Sequence, residues 1–125
     1  MQIAHVSDLH IGLDAASASA ARELVAKLLE EDIDLVLLTG DVTHRGRQGE
    51  LDRYREIFAP LEGRTIVVPG NHDRLGDDLG NALMPGFRVQ AQLFGRFWIV
   101  RFNSTGPHLH PAGSTAPGRR AAPPA

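Results

Sequence analysis

The chain has 125 residues, which is enough for one folded domain with a single core. Its formal net charge is −2 and its charges are interspersed, so the composition does not favour nucleic acid as a partner. It contains no cysteine, which excludes disulfides and thiolate metal sites and leaves His, Asp, Glu and Asn as metal ligands.

The chain begins with a predicted strand. Ile3 to Val6 is a short apolar run that ends at Ser7-Asp8, as expected of a strand reaching the edge of a sheet. No basic and apolar leader precedes it, and the longest apolar run, Leu35 to Leu38, is too short to cross a bilayer. We therefore expect an unexported, cytoplasmic protein with no membrane partner.

Two helices and two further strands are predicted next. Ala15 to Glu31 has its larger apolar residues on one helical face, and Asp34 to Thr39 is almost continuously apolar, as buried parallel strands are. A second helix through Leu51 to Phe58 stops before Pro60, and Thr65 to Val68 supplies the third strand. This order predicts an α/β fold, βαβαβ, with a largely parallel sheet.

A C-terminal antiparallel hairpin is predicted beyond this unit, from Arg88 to Leu93 and Phe97 to Phe102. We expect it to add an antiparallel edge to the sheet, with Trp98 and the nearby phenylalanines in the core. Residues 104–125 are rich in Pro, Ala and Gly and are expected to form a disordered tail, so the domain itself spans residues 1–103.

Polar side chains follow each of the three predicted parallel strands. They are Asp8 and His10 in SDLH, Asp41 in TGDV, and Asn71, His72 and Asp73 in PGNHD. Parallel sheets bind ligands beyond the carboxyl ends of their strands, so these side chains are expected to meet. Residues two apart in extended chain point to one side, which would let Asp8 and His10 hold one ion while Leu9 enters the core. Asp41 has two carboxylate oxygens and can bridge two ions.

The motifs SDLH, GDVT and GNHD resemble, in this order, the first three motifs of the calcineurin-like metallophosphoesterases. The surrounding sequence is similar to the bacterial branch with class III cyclic nucleotide phosphodiesterases. The resemblance covers residues 1–103 and implies the N-terminal half of a four-layer αββα fold. It also implies a metal-dependent phosphoesterase in which metal-bound hydroxide attacks a phosphodiester such as a cyclic nucleotide, with two Mn, Fe or Zn ions as cofactors.

The resemblance assigns roles to individual residues. It implies that Asp8 and His10 bind the first ion, that Asp41 bridges both ions and that Asn71 binds the second. The histidine after the asparagine would protonate the leaving group while the next acid orients its ring, and these are His72 and Asp73. Contacts with a substrate phosphate are a separate possibility for residues that otherwise belong to solvated loops, namely His44, Arg45, Arg47 and Arg74.

The family's later histidine and its G-H-x-H motif have no clear counterpart in this sequence. Residues 106–110 read GPHLH, so either His108 or His110 replaces a missing ligand or both are ordinary tail residues. By this count we expect the chain to bind at most one ion and to be impaired in hydrolysis. A truncation, a shifted reading frame and a natural short form all fit a half-domain, whose uncovered sheet would promote self-association.

Two other functions stay open at this point. A fold of this kind with an incomplete site could serve as a non-catalytic metal-binding or interaction module. The DNA-repair exonuclease branch has a similar first motif, although the charge balance favours a small phosphodiester as the substrate. A dinucleotide-binding fold is disfavoured because DLHIGLDAA lacks the closely spaced glycines that a pyrophosphate requires.

Overall fold

The computed structural model describes residues 1–106. Its strands and α-helices are β1 (Ile3–Val6), α1 (Ala15–Glu30), β2 (Leu35–Thr39), α2 (Gln48–Phe58), β3 (Thr65–Val68), α3 (Gly80–Leu83), β4 (Val89–Phe94) and β5 (Phe97–Phe102). Short 3-10 turns occupy Ala59–Leu61 and His72–Arg74. Most of the predicted tail, including His108 and His110, lies outside the described residues.

The first three strands form a parallel sheet in the order β1, β2, β3, which confirms the predicted βαβαβ unit. The central strand β2 is buried along most of its length, which explains its continuous apolar sequence. Helix α1 begins where predicted, because the Asp14 side chain accepts a hydrogen bond from the Ser17 N–H at 2.8 Å. Between residues 1 and 106, no helix has both the length and the apolar character needed to cross a bilayer.

The main core lies between one face of this sheet and the helices α1 and α2. Val36, Leu38 and Val67 alternate onto that face and pack with the buried side of α1 and α2. The helical residues in this core include Val25, Leu28, Leu51, Tyr54, Ile57 and Phe58. Because α1 and α2 are crossover connections between parallel strands, the carboxyl ends of all three strands lie at one edge of the sheet.

The opposite face of the sheet is less exposed than the sequence predicts. Leu35 and Ile66 lie on this face, because they alternate with Val36 and Val67, and they are only 1% and 8% exposed. The outer strand β1 is more open, with Ile3 39% exposed. The expectation of an uncovered far face is therefore wrong at its centre and holds only toward the β1 edge.

The hairpin forms as predicted but does not extend the parallel sheet. Strands β4 and β5 pair with each other in a separate two-stranded sheet. A side chain links the hairpin to the parallel sheet: the Arg101 guanidinium donates a hydrogen bond to the Val67 carbonyl at 2.7 Å. The expectation of an added antiparallel edge is thus wrong, since alternation identifies a strand without specifying its pairing partner.

The aromatic residues of the hairpin are largely exposed, contrary to the core position expected for them. Trp98 is 66% exposed, Phe97 46%, Phe102 56% and Phe87 59%. Because directly paired residues share a face, the Leu93–Trp98 pair and the Ala91–Val100 pair stand on the same side of the hairpin as Phe102. This side, which we call the apolar hairpin face, consists of Val89, Ala91, Leu93, Trp98, Val100 and Phe102.

Candidate metal centre

The loops after β1 and β2 run side by side and bring the first two motifs together. The N–H groups of Asp8 and His10 donate hydrogen bonds of 3.0 Å to the carbonyls of Gly40 and Asp41. The next such bond, also 3.0 Å, joins the Ile11 N–H to the Val42 carbonyl. The parallel pairing of the strands therefore continues into the loops and holds the two motifs in register.

Three residues of these motifs have a left-handed backbone conformation. The φ angles are 60° at Asp8, 47° at His10 and 50° at Asp41. Such values are uncommon for residues other than glycine, and they concentrate at sites whose surroundings impose them. Asp8 and His10 do come together and Leu9 packs on the core, as expected, but the extended backbone predicted for them is wrong.

Two glycines determine the position of Asp41 at the carboxyl end of the sheet. Gly40 has a φ of +92°, which allows the chain to turn at the end of β2. A Cβ atom on Gly70 would collide with the backbone nitrogen and a carboxylate oxygen of Asp41. The third motif is also joined to this carboxylate directly, because the His72 N–H donates a 3.0 Å hydrogen bond to Oδ1 of Asp41.

Asp8, His10 and Asp41 form what we call the acidic group. His10 Nε2 lies 3.7 Å from Asp8 Oδ1 and 3.8 Å from Asp41 Oδ2, and one ligand atom from each residue falls within 4.8 Å of the others. Atoms bound to one ion at about 2 Å are roughly 3 to 4 Å apart, so these donors need only small movements to share one. The nitrogen and oxygen donors fit a divalent ion.

Asn71 lies with two members of the acidic group around an open cleft. The cleft has a volume of about 510 Å³ and is lined by Asp8, Asp41, Gly40, Gly70 and Asn71, with residues 104–106 on another side. Asn71 is exposed, and its side chain carries one neutral amide oxygen. The structure therefore places all four residues expected to bind metal at one end of the parallel sheet.

The ring of His72 is oriented by a backbone carbonyl. Its Nδ1 lies 2.6 Å from the carbonyl oxygen of His44, which can only accept a hydrogen bond, so Nδ1 carries the proton. The second nitrogen, Nε2, is then the one that can accept a ligand or, in the protonated ring, give up a proton. The predicted orientation of His72 by Asp73 is absent from these contacts.

The Asp73 carboxylate is instead completely buried beneath the loops. One oxygen accepts hydrogen bonds of 2.8 Å from both the N–H and the hydroxyl of Thr43. The other accepts from the Gly70 N–H at 2.8 Å and from the Val42 N–H at 3.2 Å. Asp73 therefore ties the second motif to the third, and this position, rather than the ring of His72, is where its charge is satisfied.

The candidate substrate contacts separate in the structure. Arg45 is exposed, and its backbone N–H is held by Glu50 at 2.8 Å. Arg74 packs its side chain against Gly80, and its Nε forms an ion pair with Asp78 at 3.2 Å. Since the Arg74 side chain is only 12% exposed, a substrate contact there is not supported. His44 lies directly beside His10 and His72, and its contact with a substrate phosphate stays a prediction.

From its sequence context His44 is expected only as a candidate phosphate contact, whereas the structure places it among potential metal ligands. His10, His44 and His72 each offer a nitrogen within 4.8 Å of the others. The available signal was a histidine three residues after the aspartate of the second motif, next to a loop that already carries ligands.

Comparison with known proteins adds independent information. The family model for calcineurin-like phosphoesterases matches residues 1–113. A "probable cyclic nucleotide phosphodiesterase" of Vesicomyosocius okutanii is 25% identical over 100 residues, covering 80% of this chain and 42% of the relative. Another of that name, from Coxiella burnetii, is 28% identical over 110 residues, covering 83% and 42%. A glycerophosphodiester phosphodiesterase of Enterobacter lignolyticus is 31% identical over 84 residues, covering 58% and 30%. The chain spans less than half the length of these relatives.

Proposed function

The chain belongs to the calcineurin-like phosphoesterase family, and on that premise we propose that its metal centre serves the hydrolysis of small phosphodiesters. The observation that carries the proposal is the convergence of Asp8, His10 and Asp41 within 4.8 Å at the carboxyl end of the parallel sheet. A solvated turn would not require three left-handed residues and a glycine pressed against a carboxylate.

Metal binding is the first part of this function. We assign one ion to Asp8, His10 and Asp41, and a second to Asp41 and Asn71, with Mn, Fe or Zn as candidates for both. When bound, such ions acidify water and neutralise the charge of a phosphate. Among residues 1–106, the first assignment has three protein ligands and the second only two, so we expect this chain to retain one ion more readily than two.

Proton transfer is the second part. The His44 carbonyl fixes the Nδ1–H of His72, which leaves Nε2 to donate a proton to the departing oxygen when the ring is protonated. Asp73 supports this arrangement by holding the loops of both histidines through Val42, Thr43 and Gly70. Its role in the proposal is positioning, not direct contact with the reacting groups.

The substrate class rests on the size and charge of the site. An open cleft of about 510 Å³ is suited to a small ligand, and the net charge of −2 does not favour a polyanion such as DNA. Relatives named for cyclic nucleotides and glycerophosphodiesters have small phosphodiesters as substrates. We propose the same class here, and we propose the cytoplasm as its location, which a cysteine-free sequence fits.

The test is hydrolysis of bis-p-nitrophenyl phosphate, a cyclic nucleotide and single-stranded DNA after loading with Mn²⁺, Fe²⁺ or Zn²⁺. We expect slow metal-dependent turnover of the first two substrates, best with Mn²⁺, because residues 1–106 supply few protein ligands, and we expect its loss in Asp41→Asn. Asp32→Asn is a matched control, because Asp32 is also left-handed, with a φ of 55°, but lies in the turn after α1. Ion binding without turnover would instead support a non-catalytic metal-binding module, and preference for DNA would support an exonuclease.

A further inference from the structure

We propose that His10, His44 and His72 form an additional metal site, the histidine group, which takes one divalent ion of the zinc type through three imidazole nitrogens. Each ring offers a nitrogen within 4.8 Å of the others. The ring centroids are 4.9 to 5.4 Å apart, and all three residues are partly buried. This donor set contains no carboxylate, which distinguishes it chemically from the acidic group.

The spacing of the rings suits a tetrahedral ion. Nitrogens bound to zinc at about 2 Å are roughly 3.3 Å apart, and three imidazoles leave the fourth position open. His10 Nδ1 and His44 Nδ1 already lie 3.3 Å from each other. The ring of His72 stands nearly perpendicular to that of His10, at 86°, so the rings do not stack and their edges can converge.

The hydrogen bonding of His72 prepares it as a ligand. Its Nδ1–H is held by the His44 carbonyl at 2.6 Å, so the neutral ring carries its lone pair on Nε2. Metal-binding histidines are commonly held in this way, with the second ring nitrogen bonded to a carbonyl or carboxylate. The third ring therefore lies beside the other two, with centroid distances of 4.9 Å to His10 and 5.4 Å to His44, and with its tautomer already fixed.

The backbone beneath the histidine group is fixed. The His44 N–H donates to the Ile11 carbonyl at 3.0 Å, and the preceding Thr43 is held by the buried carboxylate of Asp73. His72 is joined to the neighbouring loop through its N–H and Asp41. The three rings therefore project from loops whose relative positions are set before an ion arrives, which reduces the cost of ordering them on binding.

His10 belongs to both candidate groups and makes them compete. Its Nε2 faces the carboxylates of Asp8 and Asp41, whereas its Nδ1 faces His44. A neutral imidazole has only one lone pair, so it can serve one group at a time. We therefore infer that an oxygen-preferring ion such as Mn²⁺ binds to the acidic group. Zn²⁺ or Cu²⁺ binds to the histidine group instead, and by taking His10 it displaces an ion from the acidic group.

The test uses the full 125-residue chain without an affinity tag, titrated with Zn²⁺ or Mn²⁺ alone and followed by calorimetry. Expected results are one Zn²⁺ per chain, a roughly 10-fold or greater loss of Zn²⁺ affinity in His44→Ala, and little change in Asp8→Asn. Mn²⁺ should show the reverse order. Electron paramagnetic resonance of bound Cu²⁺ should reveal nitrogen couplings from three imidazoles, falling to two in His44→Ala.

Controls separate the proposal from misfolding and from other histidines. His44→Ala keeps the backbone N–H that bonds to Ile11 and the carbonyl that bonds to His72. Circular dichroism of His44→Ala and of His44→Gln checks that both variants keep the fold. The double variant His108→Ala/His110→Ala should bind Zn²⁺ as the unmodified chain does. Unchanged Zn²⁺ affinity in His44→Ala, equal losses in Asp8→Asn, or loss of Zn²⁺ in the double variant would each overturn the proposal. These readouts do not depend on phosphodiesterase activity.

Discussion

His72 Nδ1 lies 2.6 Å from the His44 carbonyl oxygen, so the backbone of one loop sets the ring orientation of the histidine that follows β3. This relationship makes the side chain of His44 dispensable for orienting His72. It also leaves Nε2 of His72 as the nitrogen that acts on a ligand, whether that ligand is an ion or a leaving group.

The first prediction concerns His72→Ala in the Mn²⁺-loaded chain. Mn²⁺ content should be nearly unchanged, because the acidic group does not include His72, while turnover of bis-p-nitrophenyl phosphate should fall by about 10²- to 10⁴-fold. Elemental analysis after dialysis and steady-state rates measure the two effects separately. If the variant loses its Mn²⁺, then His72 is a ligand of that ion and its assignment as the proton donor is incorrect.

Asp73→Asn should lower the free energy of unfolding by about 2 to 4 kcal/mol. The buried Asp73 carboxylate accepts four hydrogen bonds, and asparagine would place an NH₂ group opposite some of the same donors. Urea denaturation followed by circular dichroism measures this difference. Asp52→Asn is the control, since Asp52 is exposed on α2 and should change the free energy of unfolding by less than about 0.5 kcal/mol. Equal midpoints for the two variants would show that Asp73 does not hold the loops together.

Asp73 also illustrates why the site was predictable only in part. Its position after a glycine and a histidine identifies it as a residue of the motif, and the parallel sheet places the motif correctly. Which group its carboxylate contacts depends on how the loops of residues 42–43 and 70–73 meet, and no local pattern records that. The same holds for His44, whose neighbours His10 and His72 are far away in sequence.

The fold was predictable to a different degree in its two parts. The apolar runs of β1, β2 and β3 and the helical spacing between them indicate a parallel sheet, because apolar strands that alternate with amphipathic helices are typical of βαβ units. The alternating sequence of β4 and β5 specifies a hairpin but not the surface on which it rests. Trp98 is consequently exposed although its residue type is usually buried.

Tyr54 gives the chain a dependence on alkaline pH. Burial raises the pKa of its phenol from 10.0 to about 12, with a smaller opposing effect of the Arg55 charge. The unfolded chain loses the phenol proton near pH 10, whereas the folded chain keeps it until about pH 12. The free energy of unfolding is therefore unaffected below pH 10 and falls as the pH rises toward 12, by up to about 3 kcal/mol. Urea denaturation at several pH values should show this loss in the unmodified chain and its absence in Tyr54→Phe. Tyr54 is the only tyrosine, so the absorbance of its tyrosinate reports the pKa directly. An ordinary pKa in the folded chain would contradict the prediction.

The apolar hairpin face should promote pairing with a second copy of the chain. Trp98, Val100 and Leu93 are 66%, 64% and 58% exposed on one side of the hairpin, and the six residues of this face are uncharged, although the Arg88 guanidinium lies 5.8 Å from the centre of the Phe102 ring. Sedimentation velocity should show concentration-dependent association that Val100→Lys reduces. In Val100→Lys, where association is reduced, the emission of Trp98, the only tryptophan, should shift to the red relative to the unmodified chain. Gln92→Lys, on the opposite side of the hairpin, is the matched control, and an unmodified chain that stays monomeric would refute this role.

The final prediction uses Gly70 to test the link between the second and third motifs. Gly70→Ala would place a methyl group against the backbone nitrogen and carboxylate of Asp41, and that carboxylate cannot move away without leaving His10 and the His72 N–H. Mn²⁺ affinity should therefore fall by at least roughly 10-fold, as it does when groups that orient a ligand are lost. Gly49→Ala is the matched control, because a Cβ there meets nothing within 4 Å, and an alanine in α2 should stabilise the chain by up to about 1 kcal/mol. Calorimetry with Mn²⁺ on both variants measures the contrast. Normal Mn²⁺ binding by a folded Gly70→Ala chain would mean that the position of Asp41 does not depend on this close approach.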